Sequence, residues 1–242
     1  MKATLHTIAI LAAIWAICPA AAQNLTGTVA AADTGAPLPG VTVTGILKPA
    51  SASQVPTIHQ STVDSSGNYA ITTPPGQYLL CARPQPQSLY LDPCQWGSPV
   101  SATVGATAVP VALTMQKGIR FIVRVHDPNQ LLPQAETAPG TAVSAFVTSA
   151  SINQFPLAVV YADGLVRDYG TVVPTGVPMS VTVSSATLVL GDATGAVLAP
   201  APITFQALAT DVGVAAGPLS AFTSMFPPPD AKIIHVYATA LR

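Results

Sequence analysis

Apolar and polar residues alternate in short segments along most of the chain, as in LTGTV from Leu25 to Val29 and VTVT from Val41 to Thr44. A period of two places every second side chain on one face, which is typical of half-buried β-strands. Glycine, proline, aspartate and asparagine separate the segments at short intervals, as turns require. The pattern therefore predicts an all-β protein. In the first half the predicted strands are Leu25–Val29, Val41–Thr44, Thr57–Val63, Tyr69–Thr72, Gln77–Cys81, Val100–Val104 and Val109–Met115.

Similar segments follow in the second half, and they predict a second antiparallel β-sandwich that begins near Gly118. The predicted strands are Ile119–Val125, Thr141–Val147, Leu157–Tyr161, Arg167–Val173, Met179–Val183, Thr187–Leu190, Ile203–Ala207 and Ile233–Ala240. The stretch 205–229 has no clear period, so we expect a long loop or a covered sheet edge there. The predicted organisation is a leader at 1–22, a first domain at 23–117 and a second domain at 118–242.

The N-terminus has the three parts of a secretory signal peptide. Lys2 supplies the positive region, Ile8–Ile17 is apolar and uncharged, and Ala20–Ala22 offers small residues for cleavage. The apolar run is too short to span a bilayer, so we expect cleavage after Ala22 and an exported chain. A lipoprotein signal at Cys18 is the rival interpretation, but a small residue should precede that cysteine and Ile17 stands there.

Two cysteines, Cys81 and Cys94, remain after the predicted cleavage. Exported chains meet oxidants, so such a pair most often forms a disulfide. A metal site would need further soft ligands nearby, and a redox pair is usually spaced C-x-x-C. The spacing therefore predicts a structural disulfide, worth about 3 kcal/mol in the chain-entropy model.

Charged residues make up only 8% of the chain, against about 25% in ordinary soluble domains. No basic patch suggests a nucleic-acid partner, and no later apolar stretch suggests stable membrane insertion after signal cleavage. The low charge also leaves weak protection against self-association. We expect an envelope protein or a carbohydrate as partner, and a periplasmic or extracellular location.

The first half carries an ordered set of motifs: LTGTV, then DTGAPLPGVTV, then VDSSGNYAIT, then PPGQYLL. In this order the motifs resemble the carboxypeptidase regulatory-like domain, over roughly residues 24–116. The resemblance implies a transthyretin-like, carbohydrate-binding-like β-sandwich of about seven strands. Gly35, Gly67 and Gly76 fit it, because they stand where turns need a positive φ or a tight backbone. The segment from Cys81 to Trp96 is an addition to the family's pattern.

In that family the domain is the non-catalytic neighbour of a zinc peptidase domain, so the resemblance implies no activity of its own. The chain has no H-x-x-E, H-E-x-x-H or G-x-S-x-G motif. We expect His59, His126 and His235 on strand or turn surfaces, and Asp163 and Asp168 as turn residues rather than paired catalytic acids. The sequence therefore predicts no enzyme, no catalytic residue, no cofactor and no metal.

Four loop aspartates and one row of cations are weaker candidates for binding sites. Single carboxylates in separate loops are typical of Asx-turns, so calcium binding has no support. Arg120, Arg124 and His126 alternate along one strand and could meet an anionic glycan, but a solvent-facing row is the simpler interpretation. The four loop aspartates are Asp33, Asp64, Asp92 and Asp127.

The loop between the cysteines is the strongest candidate binding site. Tyr90, Asp92, Gln95 and Trp96 would be held by the disulfide. Aromatic rings can stack on the C–H faces of sugars, while carboxylate and amide groups bind hydroxyls. The favoured alternative for Trp96 is a plug at the open end of the first sandwich. The sequence thus predicts an exported, non-catalytic binding or accessory module, or alternatively a structural or adhesive subunit that acts through protein contacts.

Overall fold

The computed structural model describes residues 23–105, 107–132, 143–150, 152, 154–162, 164–185, 188–197, 202–211, 215–216 and 231–240. All of the regular secondary structure in these residues is β-strand, so the predicted all-β class is confirmed. The predicted signal peptide and most of the stretch 205–229 lie outside the described residues. No helix in the described ranges is long and apolar enough to cross a membrane.

The first half forms two sheets. Its strands are β1 (Gln23–Ala31), β2 (Thr42–Leu47), β3 (Thr57–Thr62), β4 (Asn68–Thr73), β5 (Gly76–Arg83), β6 (Val100–Val104), β7 (Val109–Pro110) and β8 (Leu113–Met115). One sheet has the order β4-β1-β7, with β8 also paired to β1, and the other has the order β3-β2-β5-β6. The expected strand Val109–Met115 is interrupted at 111–112, although the Val111 N–H still donates to the Thr26 carbonyl at 2.8 Å.

The two sheets enclose a core that the alternation predicted. Tyr69, Ile71, Tyr78 and Leu80 are all buried there, at 0 to 3% exposure, so their expected inward direction is confirmed. Leu25, Val29, Val43, Leu113 and Met115 belong to the same cluster.

Two of the predicted glycine positions show different constraints. Gly67 has a φ of +87°, and an added Cβ would lie 2.7 Å from Cβ of Pro37, so both conformation and space require glycine. Gly76 has no positive φ, but an added Cβ would lie 2.5 Å from Cδ1 of Leu47. The motif glycines therefore combine turn geometry with close packing.

The second half forms two further sheets. Its strands are β9 (Ile119–His126), β10 (Ser144–Ser149), β11 (Phe155–Pro156), β12 (Ala158–Ala162), β13 (Val166–Val173), β14 (Pro178–Ser184), β15 (Leu188–Gly191), β16 (Ile203–Gln206), β17 (Ala215–Ala216) and β18 (Ala231–Ala240). One sheet has the order β11-β10-β14-β16. The other has the order β12-β13-β9-β18-β15, with β17 also paired to β18.

The inner faces of these sheets share a second core. Phe121, Val123 and Val125 of β9 lie in it, and the rings of Phe121 and Phe205 stack with centroids 4.2 Å apart. Leu91, from the loop between the cysteines, and Trp96, two residues after Cys94, belong to this second cluster rather than to the first. The stapled loop of the first sandwich therefore packs into the second.

Candidate functional site

The predicted disulfide is confirmed: Cys81 and Cys94 are bonded, with their Cα atoms 5.2 Å apart. Cys81 is buried near the end of β5, so the bond anchors the loop to a central strand of its sheet. Asp92 fixes the other end of the loop by accepting two backbone hydrogen bonds. Its carboxylate accepts the Cys94 N–H at 2.9 Å, and its carbonyl oxygen accepts the Trp96 N–H at 3.1 Å. Burial raises the pKa of Asp92, although backbone N–H groups and Arg83 act against this shift.

Further contacts fasten the loop to the start of the second half. The Leu91 N–H donates to the Gln116 carbonyl at 2.8 Å, and the Gly118 N–H donates to the Leu89 carbonyl at 2.7 Å. From β9, Nη2 of Arg120 donates to the Gln87 carbonyl at 3.1 Å. The loop is thus held at both ends and in the middle.

Trp96 is 8% exposed, so it is not the open stacking platform that a sugar-binding tryptophan usually provides. Its ring lies 6.4 Å from the ring of Phe155, and its neighbours belong to the second core. We expected Trp96 to fill the open end of the first sandwich, but its side chain packs into the core of the second sandwich instead. Its Nε1–H is buried and has no hydrogen-bond partner among the described residues.

A cleft of about 800 Å³ separates this loop from the outer face of the sheet that contains β9, β12 and β13. All four predicted residues, Tyr90, Asp92, Gln95 and Trp96, line it. The structure therefore brings the predicted set together, and whether it binds a ligand stays a prediction. The other described residues of the loop wall include Arg83, Gln85, Gln87 and Ser88, and those of the sheet wall include Arg120, Ile122, Tyr161, Asp168 and Thr171.

The sheet wall carries a polar row that sequence reasoning did not assemble. The register places His235, Arg124, Asp168 and Tyr161 side by side across β18, β9, β13 and β12. Nε and Nη2 of Arg124 donate to the two carboxylate oxygens of Asp168 at 2.8 and 2.7 Å. Both side chains are almost fully buried, and Asp168 reaches the cleft. Asp168 is thus a strand residue in an ion pair, not the turn residue that was expected, and Asp163 lies outside the described residues.

The expected solvent-facing row of Arg120, Arg124 and His126 is also wrong, because Arg124 and His126 are 0% exposed. His235 is buried as well, whereas His59 is half-buried, so the surface placement expected for the histidines fails for two of the three. Alternation assigned these side chains to the outer face of β9 correctly. It could not show that this face is covered.

Two buried histidines continue the polar region beyond Arg124. A hydrogen bond of 2.6 Å joins Nε2 of His126 and Nδ1 of His235, and the ring of Tyr237 stacks on His126 at 4.5 Å. Burial lowers the pKa of His126 to about 4, and the charges of His235 and Arg124 act in the same direction. Burial and then Arg124 lower the pKa of His235, while Asp168 opposes this.

These pKa values predict a loss of stability in acid. His126 is neutral in the folded protein down to about pH 4, but it gains its proton near pH 6.5 when unfolded. Neutral His126 therefore contributes roughly 3 kcal/mol to the free energy of unfolding above pH 6.5, and this contribution is lost as the pH falls towards 4. Urea unfolding at a series of pH values measures this. His126→Phe should flatten the profile; identical profiles for wild type and His126→Phe would contradict the assignment.

The disulfide predicts a second effect on stability. We expect the double variant Cys81→Ser/Cys94→Ser to lose about 3 kcal/mol of unfolding free energy. The second core should loosen too, because the released loop carries Leu91 and Trp96. Urea unfolding followed by Trp96 fluorescence measures both effects, and reductant should destabilise wild type but not the variant. A variant as stable as the wild type would show that the loop holds without its bond.

One group of possible metal ligands was found among the described residues: Cys81, Asp92 and Cys94, with ligand atoms within 4.8 Å of one another. Both sulfur atoms are in the disulfide, so neither is a thiolate that could bind a metal.

The loop aspartate Asp64 accepts the N–H groups of Ser66 and Asn68, which is the Asx-turn that was predicted for it.

No family model matches the chain, and no curated protein matches it. Solved structures do resemble it: the Bacillus anthracis TIE protein at 9% identity and a TM-score of 0.33, and the Streptococcal ancillary pilin at 11% and 0.38. The alignments cover 92% and 90% of this chain, but only 35% and 62% of those proteins. The shaft pilin spaA from Lactobacillus rhamnosus GG is similar at 11% identity and a TM-score of 0.33, over 91% of this chain and 99% of that one. Similarities this weak do not assign a function.

Proposed function

We propose that the chain is an exported, non-catalytic binding protein of the cell envelope or extracellular space, and that it holds an oligosaccharide in the cleft between its sandwiches. The observation that carries this proposal is the convergence of the stapled loop and the outer face of β9, β12 and β13 on one cavity of about 800 Å³. This volume lies within the range of ligand sites, which is about 300–1,000 Å³. The disulfide supports an oxidising location.

The lining has the composition that a sugar site needs. Tyr90 and Tyr161 offer aromatic rings from opposite walls, and Gln85, Gln87 and Gln95 offer amides that both donate and accept. Because Trp96 is largely buried, stacking would fall to the tyrosines, and Trp96 would serve mainly to fix the loop.

The engaged state of the two cleft carboxylates supports a non-catalytic role. Both oxygens of Asp168 accept hydrogen bonds from Arg124, and Oδ1 of Asp92 accepts the Cys94 N–H. Acid and base catalysis by a carboxylate pair requires groups that can exchange protons with the substrate. Here the carboxylates are engaged in structural contacts.

Calorimetric titration of the mature protein with cellotriose, maltotriose, chitotriose and trigalacturonate tests the proposal. We expect saturable binding of at least one of them, weakened by about tenfold in Gln95→Ala through the loss of its hydrogen bonds. Gln54→Ala is the matched control, because Gln54 lines a separate surface pocket near β2 and β3. Binding that Gln95→Ala leaves unchanged, or no binding at all, would contradict the proposal.

We also propose that the first sandwich belongs to the carboxypeptidase regulatory-like family. The support is the ordered motif set together with the glycine constraints at Gly67 and Gly76. In this interpretation the segment from Cys81 to Trp96 is an insertion that joins the family's sandwich to a second one.

A structural subunit that acts through protein contacts is the second candidate, and two sheet edges favour it. β3 and β12 are edge strands, and Ile58 and Val160 on them are 58% and 59% exposed. Exposed apolar edges invite strand addition by another chain. Sedimentation over a range of concentrations tests this: assembly that Val160→Lys abolishes would support the subunit, and a monomer throughout would count against it.

A further inference from the structure

We propose that the cleft selects saccharides that carry a carboxylate, which Arg83 and Arg120 bind from opposite walls. This inference rests on the proposed function, because it names the class of sugar that the same site would take. Arg83 stands at the end of β5 and begins the loop wall, and Arg120 stands on β9 in the sheet wall.

Charged side chains are concentrated at this cleft. The whole chain has nine lysines and arginines and ten aspartates and glutamates. Two of these arginines and two of these aspartates line this one cleft, and Arg124 lies directly behind Asp168. A chain so poor in charge rarely gathers ionised groups without a structural or functional use.

The described lining of the cleft offers strong hydrogen-bond donors in the guanidinium groups of Arg83 and Arg120. An arginine side chain has five N–H donors and no acceptor. A carboxylate is the complementary ligand, because an ionised carboxylate only accepts.

The two aspartates of the cleft would repel an anion if arginines did not lie beside them. Arg124 neutralises Asp168 through a bidentate pair with N···O distances of 2.8 and 2.7 Å. Asp92 uses Oδ1 to accept the Cys94 N–H, and its charge lies close enough to Arg83 for the two to interact. Counting Arg124, the described residues at the cleft include three arginines and two aspartates.

The test compares trigalacturonate with its methyl ester, which keeps the sugar rings and removes the negative charges. We expect the free acid to bind at least about tenfold more tightly than the ester in calorimetric titration, with an affinity that falls as salt is raised. Arg83→Ala and Arg120→Ala should each weaken binding of the acid by about tenfold more than they weaken binding of the ester, because only the acid carries the charge that the guanidinium groups bind. Lys48→Ala removes the same charge far from the cleft and should have no effect.

The outcomes separate this inference from the proposed function. Equal binding of acid and ester, weakened by Gln95→Ala, would overturn the carboxylate preference and leave a saccharide site in place. Selective binding of the acid that neither arginine variant weakens would overturn the assignment to these residues. No binding of any saccharide would overturn both proposals. Arg120→Ala removes the contact with Gln87 and so loosens the loop. Arg83 is exposed, so Arg83→Ala should fold normally and keeps the test decisive.

Discussion

Replacing Asp168 with alanine should lower the free energy of unfolding by about 3 to 5 kcal/mol, among the largest effects we expect of any single substitution in this chain. Arg124 is 0% exposed, and the bidentate pair supplies two of its hydrogen bonds. Without the carboxylate the guanidinium charge stays buried, and its desolvation is no longer offset.

Chemical denaturation of the Asp168→Ala variant measures this loss. The double variant Arg124→Leu/Asp168→Leu is the matched control, because it removes both charges and leaves apolar side chains in their place. Its stability should recover much of what the single variant loses. If the single variant stays within about 1 kcal/mol of wild type, the pair does not stabilise the sheet as we describe.

Replacing Trp96 with alanine should cost a similar amount, about 3 to 5 kcal/mol, because it empties a large buried volume. The loss of stability should be concentrated in the second sandwich, although Trp96 belongs to a loop of the first. Trp96 follows Cys94 in the loop of the first sandwich, yet its neighbours are in the second core. The strands around Phe155 should therefore loosen, while the first core keeps its stability.

Hydrogen exchange followed by mass spectrometry locates this effect. Trp96→Ala should accelerate exchange in β10, β11 and β14 more than in β2 and β5. Trp96→Phe should do the same to a smaller extent, since it keeps most of the apolar contact. Faster exchange confined to the strands of the first sandwich would show that Trp96 plugs that sandwich after all.

Much of the fold could be predicted from local pattern. Alternation is a local property, so it identified strands such as β4 and β5 and the inward direction of Tyr69 and Tyr78. The disulfide was predictable because the chain offers no other pairing after the expected signal cleavage.

The cleft could be predicted only in part. The disulfide predicted that Tyr90, Asp92, Gln95 and Trp96 would lie together, because they share one short loop. The opposite wall depends on the register between β9, β12 and β13, which no local pattern determines. Burial of Arg124 and His126 was missed for a related reason: alternation divides a strand into two faces and does not tell whether both are covered.

Hydrogen exchange of the mature protein with and without saturating trigalacturonate shows where on the protein the sugar binds. We expect slower exchange in the loop 83–96 and in β9, β12 and β13, and in no other strands. Protection at 148–149 and 178–180, or at 47–57, would place the sugar in one of the other surface pockets and contradict the claim that the ligand lies between the sandwiches.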